Sequence, residues 1–99
     1  MKPPDRFEWD EKKNQENFRD HKIRFEEAKA IFDRPVWTRI DDRNDYGELR
    51  EVSVGDIGNF VLITVVHTDR NGQTRIISAR KATRRERKAY YDHLARTAT

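Results

Sequence analysis

The spacing of apolar positions changes near residue 35, from a period of about 3.6 to a period of 2, which predicts helices first and a sheet afterwards. Phe7-Glu8-Trp9 reads as a short extended segment, and Asp10 is placed to N-cap a helix running to about His21 with Glu11 in its first turn. Asn14, Asn17, Phe18 and His21 recur at i, i+3, i+4 and i+7, so the inner side of that helix is hydrogen-bonding rather than apolar, with His21 expected to help tie it to the sheet. A second helix is predicted from about Phe25 to Phe32 on the stripe Phe25, Ala28, Ile31 and Phe32, and Pro35 stops it. Beyond it, Val36–Ile40 and Leu49–Val54 alternate as strands, joined by the acidic loop Asp41-Asp42-Arg43-Asn44-Asp45 and Gly47. Gly55-Asp56-Ile57-Gly58 reads as a turn. Asn59–His67 is apolar on both sides, the pattern of a central strand, and Asp69-Arg70-Asn71-Gly72 is a hairpin signal leading into Thr74–Ala79. Thr83-Arg84-Arg85-Glu86 matches a capping box that opens a last helix to about Ala95.

The expected fold is therefore α+β: one small domain, residues 1–99, with an antiparallel four-stranded sheet, two N-terminal helices and one C-terminal helix. Phe7–Trp9 leaves room for one extra N-terminal strand. The helices are expected on one side of the sheet, leaving the other face partly open. On the last helix Glu86, Ala89, Tyr90 and Leu94 share the side suited to packing, while Arg84, Arg87, Lys88 and Tyr91 share the other.

With 99 residues and no cysteine, the chain is too short for two domains and holds neither disulfide nor thiolate metal site, as expected of a reducing, cytoplasmic setting. The longest apolar run, Phe60–Val66, is too short to span a bilayer, and the N-terminus lacks an apolar signal core. Charge is unevenly distributed. Residues 70–99 carry 9 basic and 2 acidic groups, against 12 and 16 in residues 1–69, so the last third is +7 and the remainder −4. That asymmetry points to a polyanion met by the C-terminal elements, nucleic acid first, although arginine-rich helix faces are also commonly just solvated.

Few reaction classes survive inspection. His21, His67 and His93 lie far apart with no repeated ligand spacing, which argues against a metal site, and neither a glycine-rich phosphate loop nor a serine-nucleophile elbow is present, so no cofactor is implied. Cleavage of RNA asks for less. The 2′-OH is a nucleophile already in the substrate, so a protein needs to orient it, move protons and stabilise the charged phosphorane, and clustered arginines with one His, Glu or Tyr suffice. Arg50, Arg75 and Arg80 are the candidate phosphate-binding groups, with His67 or Glu51 as candidate general base; His67 has the titration range for it. Strand alternation places Arg75 with Ala79 and sends Ser78 and Arg80 to the opposite side or the strand's end. Lys81, Arg84, Arg85, Arg87, Lys88 and Tyr91 are candidates for holding the RNA backbone. Quieter roles compete: Arg75 or Arg80 pairing with Glu51, Glu86 or Asp69, His67 as a hydrogen-bonded filler, His93 answering a helix dipole, and Trp9 and Trp37 as core.

The string also resembles a known family, the BrnT toxins of bacterial type II toxin–antitoxin pairs. Phe7-Glu8-Trp9-Asp10 resembles its opening F-x-W-D, Asn17 through Phe25-Glu26-Glu27-Ala28 its N-x-x-K-H-G-x-x-F-E-E-A segment, and Glu48-Leu49-Arg50 its G-E-x-R. Residues Arg75 to Arg87 resemble the signature R-I-I-S-A-R-K-A-T-R-R-E-R at every position. At Asp20-His21-Lys22 the chain departs from K-H-G, and a lysine in place of glycine implies that the local turn need not take a positive φ. The resemblance implies a RelE-like fold and a metal-independent endoribonuclease that arrests translation. It further implies a tightly bound BrnA-type antitoxin that alone contacts DNA, and a dimeric assembly formed with that antitoxin. A non-catalytic RNA- or protein-binding module serving a regulatory complex is the alternative, since a basic helix on a small sheet binds nucleic acid whether or not it cuts it.

Overall fold

The structure, a computed structural model, describes residues 6–42 and 47–97. The elements are β1 (Phe7–Glu8), α1 (Glu11–His21), α2 (Phe25–Ala28) running into a 3₁₀ turn (Lys29–Asp33), β2 (Trp37–Asp41), β3 (Arg50–Asp56), β4 (Leu62–Arg70), β5 (Gln73–Lys81) and α3 (Arg84–Thr97). They form a five-stranded mixed sheet in the order β1-β5-β4-β3-β2. The four longer strands are an antiparallel meander, and β1 joins it parallel to β5 through Phe7↔Thr74 and Glu8↔Arg75. Asn71 (φ 56°) and Gly72 (φ 80°) make the expected tight hairpin between β4 and β5. Of the expected acidic loop, Asp41 instead ends β2 as a buried residue, and Arg43, Asn44 and Asp45 lie outside the described residues.

Asp10 caps α1 as expected, accepting from the backbone N–H groups of Lys12 and Lys13 at 2.8 and 3.2 Å. The polar inner side of α1 solves a sheet-edge problem. Beyond its two-residue pairing with β1, β5 would present bare backbone, and the Asn17 amide donates to the Ala79 carbonyl at 2.8 Å and accepts from the Ala79 N–H at 3.1 Å, standing in for a neighbouring strand. Its Nδ2 also donates to the Ile23 carbonyl, while buried Asn14 accepts from the Phe25 N–H at 2.8 Å and so caps α2. His21 takes no part in this; it is exposed at the helix end, where the two asparagines have already made the tie.

Three local expectations are corrected. Lys22 does adopt the left-handed conformation (φ 62°), because the chain must reverse at once to bury Ile23, and its N–H closes the helix on the Phe18 carbonyl. The second helix is α-helical only through Ala28 and then tightens to 3₁₀ before Pro35. Gly55 lies inside β3 rather than in a turn, where a Cβ would stand 2.7 Å from Ile31 Cβ, so glycine lets the 3₁₀ turn lie against the strand.

The helices also do not share one side. Ile63, Val65, Ile76 and Ala79 pack against Ile23, Phe25, Ala28 and Ile31 of the N-terminal helices, whereas Val54 and Leu62 pack with Tyr90 of α3. By strand alternation these are opposite faces, so each face has its own helical layer. α3 packs mainly on the end of its face near β2 and β3. The rest of that face is where the polar chemistry collects.

Candidate functional site

The position of the arginines is decided by one irregularity in β5. Val66 pairs with Ser78 but His67 pairs with Ile76, so Ile77 is an extra residue and the ladder carries a β-bulge there. Thr64, Val66 and Thr68 of β4 point to the α3 face by alternation; Arg80 sits opposite Thr64 and Arg75 opposite Thr68. The bulge therefore returns Arg75 to the face of Ser78 and Arg80 and leaves Ala79 with Ile76 in the other layer, reversing the grouping expected from simple alternation. Arg50, one residue beyond the Glu51↔His67 pair, joins the same face. The three candidate phosphate-binding arginines thus share one face, Arg50 and Arg75 where α3 leaves it open and Arg80 beside the start of α3.

Carboxylates hold Arg75 and Arg80 by hydrogen bonds, and one lies within ion-pair range of Arg50. Arg80 makes a two-pronged contact with Glu86, Nη1 to Oε1 at 2.8 Å and Nη2 to Oε2 at 2.9 Å. Glu86 also accepts from the Thr64 hydroxyl and the Thr83 N–H, both at 2.9 Å, and meets Arg39 at 3.4 Å, while its own N–H donates to Thr83 Oγ1 in the capping box. Burial alone would raise the Glu86 carboxyl; the hydrogen bonds from Arg80, the Thr83 N–H and Thr64 outweigh it and hold the group at about 2. At the other end of the row, Arg75 donates to Glu8 of β1 at 2.7 Å, and Glu48 lies 3.9 Å from Arg50 Nε and 3.2 Å from Arg70 Nη2. Arg50, Arg70 and Arg75 line a cleft of about 120 Å³ together with Lys13, Asp10, Glu48, Ile76 and Ile77. Four cations converge there against two carboxylates on its walls. The cleft is cationic overall, and partly exposed guanidiniums are the groups best suited to grip a phosphate.

The other expected residues are distributed differently. His67 lies on the opposite face, 7% exposed, with Nε2 2.7 Å from Ser53 Oγ and its ring edge-on to Phe32 at 5.0 Å. Glu51, its cross-strand partner, points to that same face, so the structure does not bring the two candidate bases to the arginines. Lys81, Arg84, Arg85, Arg87, Lys88 and Tyr91 are all exposed at the start and outer side of α3, Lys88 pairing with Asp92 at 2.8 Å. Trp9 and Trp37 pack against the two core layers. Glu8, Glu48, Arg70, Arg39 and Thr64 belong to the site and were not singled out from the sequence as site residues. The F-x-W-D and G-E-x-R segments contained two of them, but their roles depend on the β1–β5 pairing and on the loop before β3. Among the described residues, no three His, Asp or Glu side chains cluster to hold a metal, and no helix is long and apolar enough to cross a membrane.

Comparison with known proteins now bears on this arrangement. Residues 9–86 match the model of a family described as the ribonuclease toxin, BrnT, of type II toxin–antitoxin systems. The chain belongs to the BrnT family. No curated protein matches it in sequence. Among solved structures it is similar to the Brucella abortus ribonuclease toxin BrnT, at 20% identity and a TM-score of 0.59, over 79% of this chain and 96% of that one. This likeness is one of fold. Membership in a BrnT family of ribonuclease toxins makes the protein a toxin whose system includes an antitoxin, and the matched segment runs from Trp9 through the bulged strand to Glu86, so it contains the entire arginine row.

Proposed function

We propose that the protein is a metal-independent endoribonuclease of the cytoplasm that arrests translation by cutting RNA, neutralised by a BrnA-type antitoxin. The observation that carries this reading is the bulge in β5, which sets Arg75 and Arg80 on one face beside Arg50. In the proposed mechanism Arg50 and Arg75 hold the scissile phosphate in their cleft and stabilise the phosphorane formed when the adjacent 2′-OH attacks; Arg80, fixed by Glu86, holds the next stretch of backbone. Glu48 is the carboxylate that the geometry sets beside Arg50, and it serves as acceptor for the 2′-OH proton; the P–O5′ bond then breaks to leave a 2′,3′-cyclic phosphate, and the departing 5′-oxygen takes its proton from water. His67 and Glu51 serve the scaffold: His67 bridges β3 to the Phe32 layer. The α3 cations with Tyr91 grip RNA outside the cleft. The antitoxin masks this basic face with an acidic segment, and the assembly is dimeric through the antitoxin.

A second reading has one observation in its favour. Glu8, Glu48 and Glu86 already engage the three arginines, as they would in a non-catalytic binding module. One experiment separates the two. Protein freed of its partner is incubated with total RNA in EDTA, as wild type and as Arg75→Ala and Glu48→Gln, with folding checked by circular dichroism. Cleavage by wild type to 2′,3′-cyclic phosphate ends, lost in Arg75→Ala, is the expected result, and the same variant should permit growth when expressed alone. Folded wild type that leaves RNA intact and growth unaffected overturns the catalytic reading.

A further inference from the structure

The turn between β3 and β4 presents an aromatic ring at a cost in backbone strain. Asn59 (φ 55°) and Phe60 (φ 63°) are consecutive left-handed residues. Asparagine tolerates that conformation; a phenylalanine does so only against steric resistance. The turn is held in this shape by backbone bonds from the Ile57 N–H to the Val61 carbonyl and from the Val61 N–H to the Gly58 carbonyl, both 3.1 Å, and by Asp56, which accepts from the Gly58 N–H. The strain is not repaid by burial, because Phe60 is 81% exposed, the most exposed large apolar residue among those described. The sheet end that the turn adjoins is rich in cations. Two residues on from Phe60, the Leu62 carbonyl accepts from the Ala82 N–H, and Ile63 pairs with Lys81, so the turn lies at the end of the sheet where β5 ends at Lys81 and α3 begins with Arg84 and Arg85. Arg34 pairs with Asp56 at its base at 3.7 Å.

A solvent-exposed ring fixed beside a file of phosphate-binding cations is the arrangement by which proteins hold single-stranded nucleic acid, bases stacked on aromatics and backbone along the charges. We infer that Phe60 is a base-stacking subsite for single-stranded RNA, lying past Arg80 on the path the substrate takes from the Arg50–Arg75 cleft. The inference rests on the ribonuclease reading and adds to it a substrate class, unpaired RNA, since a base within a duplex offers no free face to the ring.

The test measures binding of a short 2′-O-methylated single-stranded RNA, which has no free 2′-OH to attack with, by fluorescence anisotropy. Phe60→Leu keeps an apolar side chain without the ring's flat face, Phe60→Trp keeps stacking, and exposure of the position means that neither disturbs the core. Phe60→Leu is expected to weaken binding by roughly fivefold or more without changing the salt slope; Phe60→Trp is expected to restore it, with indole fluorescence quenched on binding. A duplex of the same sequence should not distinguish the variants. The subsite is overturned if Phe60→Leu binds within about twofold of wild type, or if it weakens the duplex equally. It is likewise overturned if Phe60→Leu loses only antitoxin binding, which would make the ring a protein contact. If wild type cleaves RNA and Phe60→Leu is indifferent, the subsite alone falls. If wild type neither cleaves nor binds RNA, the ribonuclease reading falls with it.

Discussion

Glu86 is the residue on which most of the site's polar order converges. Its folded pKa, about 2, lies below the ordinary 4.5, so the sign is set: the ionised form stabilises the fold above the unfolded value, and that contribution disappears as pH falls from about 4.5 towards 2. The shift corresponds to about 3 kcal/mol as an upper bound. Thermal melts across that range should show wild type losing stability steeply, and Glu86→Gln starting less stable at pH 7 with a flatter profile; parallel curves would mean that the Arg80 and Arg39 pairs contribute nothing. Lys22 makes the opposite case, a residue the fold tolerates rather than uses. Its left-handed φ of 62° is one that glycine adopts without strain, so Lys22→Gly should raise unfolding stability by about 1 kcal/mol in denaturant titrations. A reading of residue types alone missed this, because the demand on φ comes from Ile23 having to enter the core immediately after the helix.

At the level of elements, α1 is bound to the sheet through amides where most helices use an apolar stripe. Asn17→Ala would leave the Ala79 N–H and carbonyl and the Ile23 carbonyl without their partner, a loss of about 2 to 4 kcal/mol that chemical denaturation would measure; a change below about 0.5 kcal/mol would mean that water substitutes freely. The hydrogen-bonding inner side of this helix was legible in the spacing of Asn14 and Asn17, and so were its Asp10 cap, the Asn71-Gly72 turn and the capping box at Thr83. The bulge at Ile77 was not legible. A period of 2 states which residues alternate but carries no mark of where one extra residue is inserted, and a single inserted residue exchanges the faces of everything on one side of it. For that reason Arg75 was assigned to the wrong neighbour; Glu51, adjacent to Arg50 in β3, falls on the opposite face by alternation alone, and the β3–β4 register sets His67 beside it.

For the molecule as a whole, charge is the organising quantity. The last 30 residues carry the positive excess, and the structure gathers it at the start and outer side of α3 and along the open part of one sheet face. If α3 grips the RNA backbone, Arg84→Ala should reduce the magnitude of the salt-dependence slope for single-stranded RNA by about 0.7 while leaving the single-turnover cleavage rate at saturating protein within a few fold. Arg75→Ala should show the reverse, a large loss in rate with a modest loss in affinity. Equal effects of both on rate would merge the two regions into one site.

The amino-acid pattern by itself determined the classes and order of the elements, their caps and tight turn, the concentration of cationic charge in the last third and, through the Arg75–Arg87 signature, kinship with the BrnT toxins. These follow from local periodicity, short-range hydrogen bonding and composition, which a chain carries wherever it folds. The tertiary structure alone decided that helices cover both faces, that β1 closes the sheet in parallel, that Glu8 and Glu86 hold Arg75 and Arg80, and that a bulge unites those arginines beside Arg50. Each of these depends on contacts between residues distant along the chain or on the register of a ladder, and register is set by how two strands and the layers above and below them pack, information that no single segment contains.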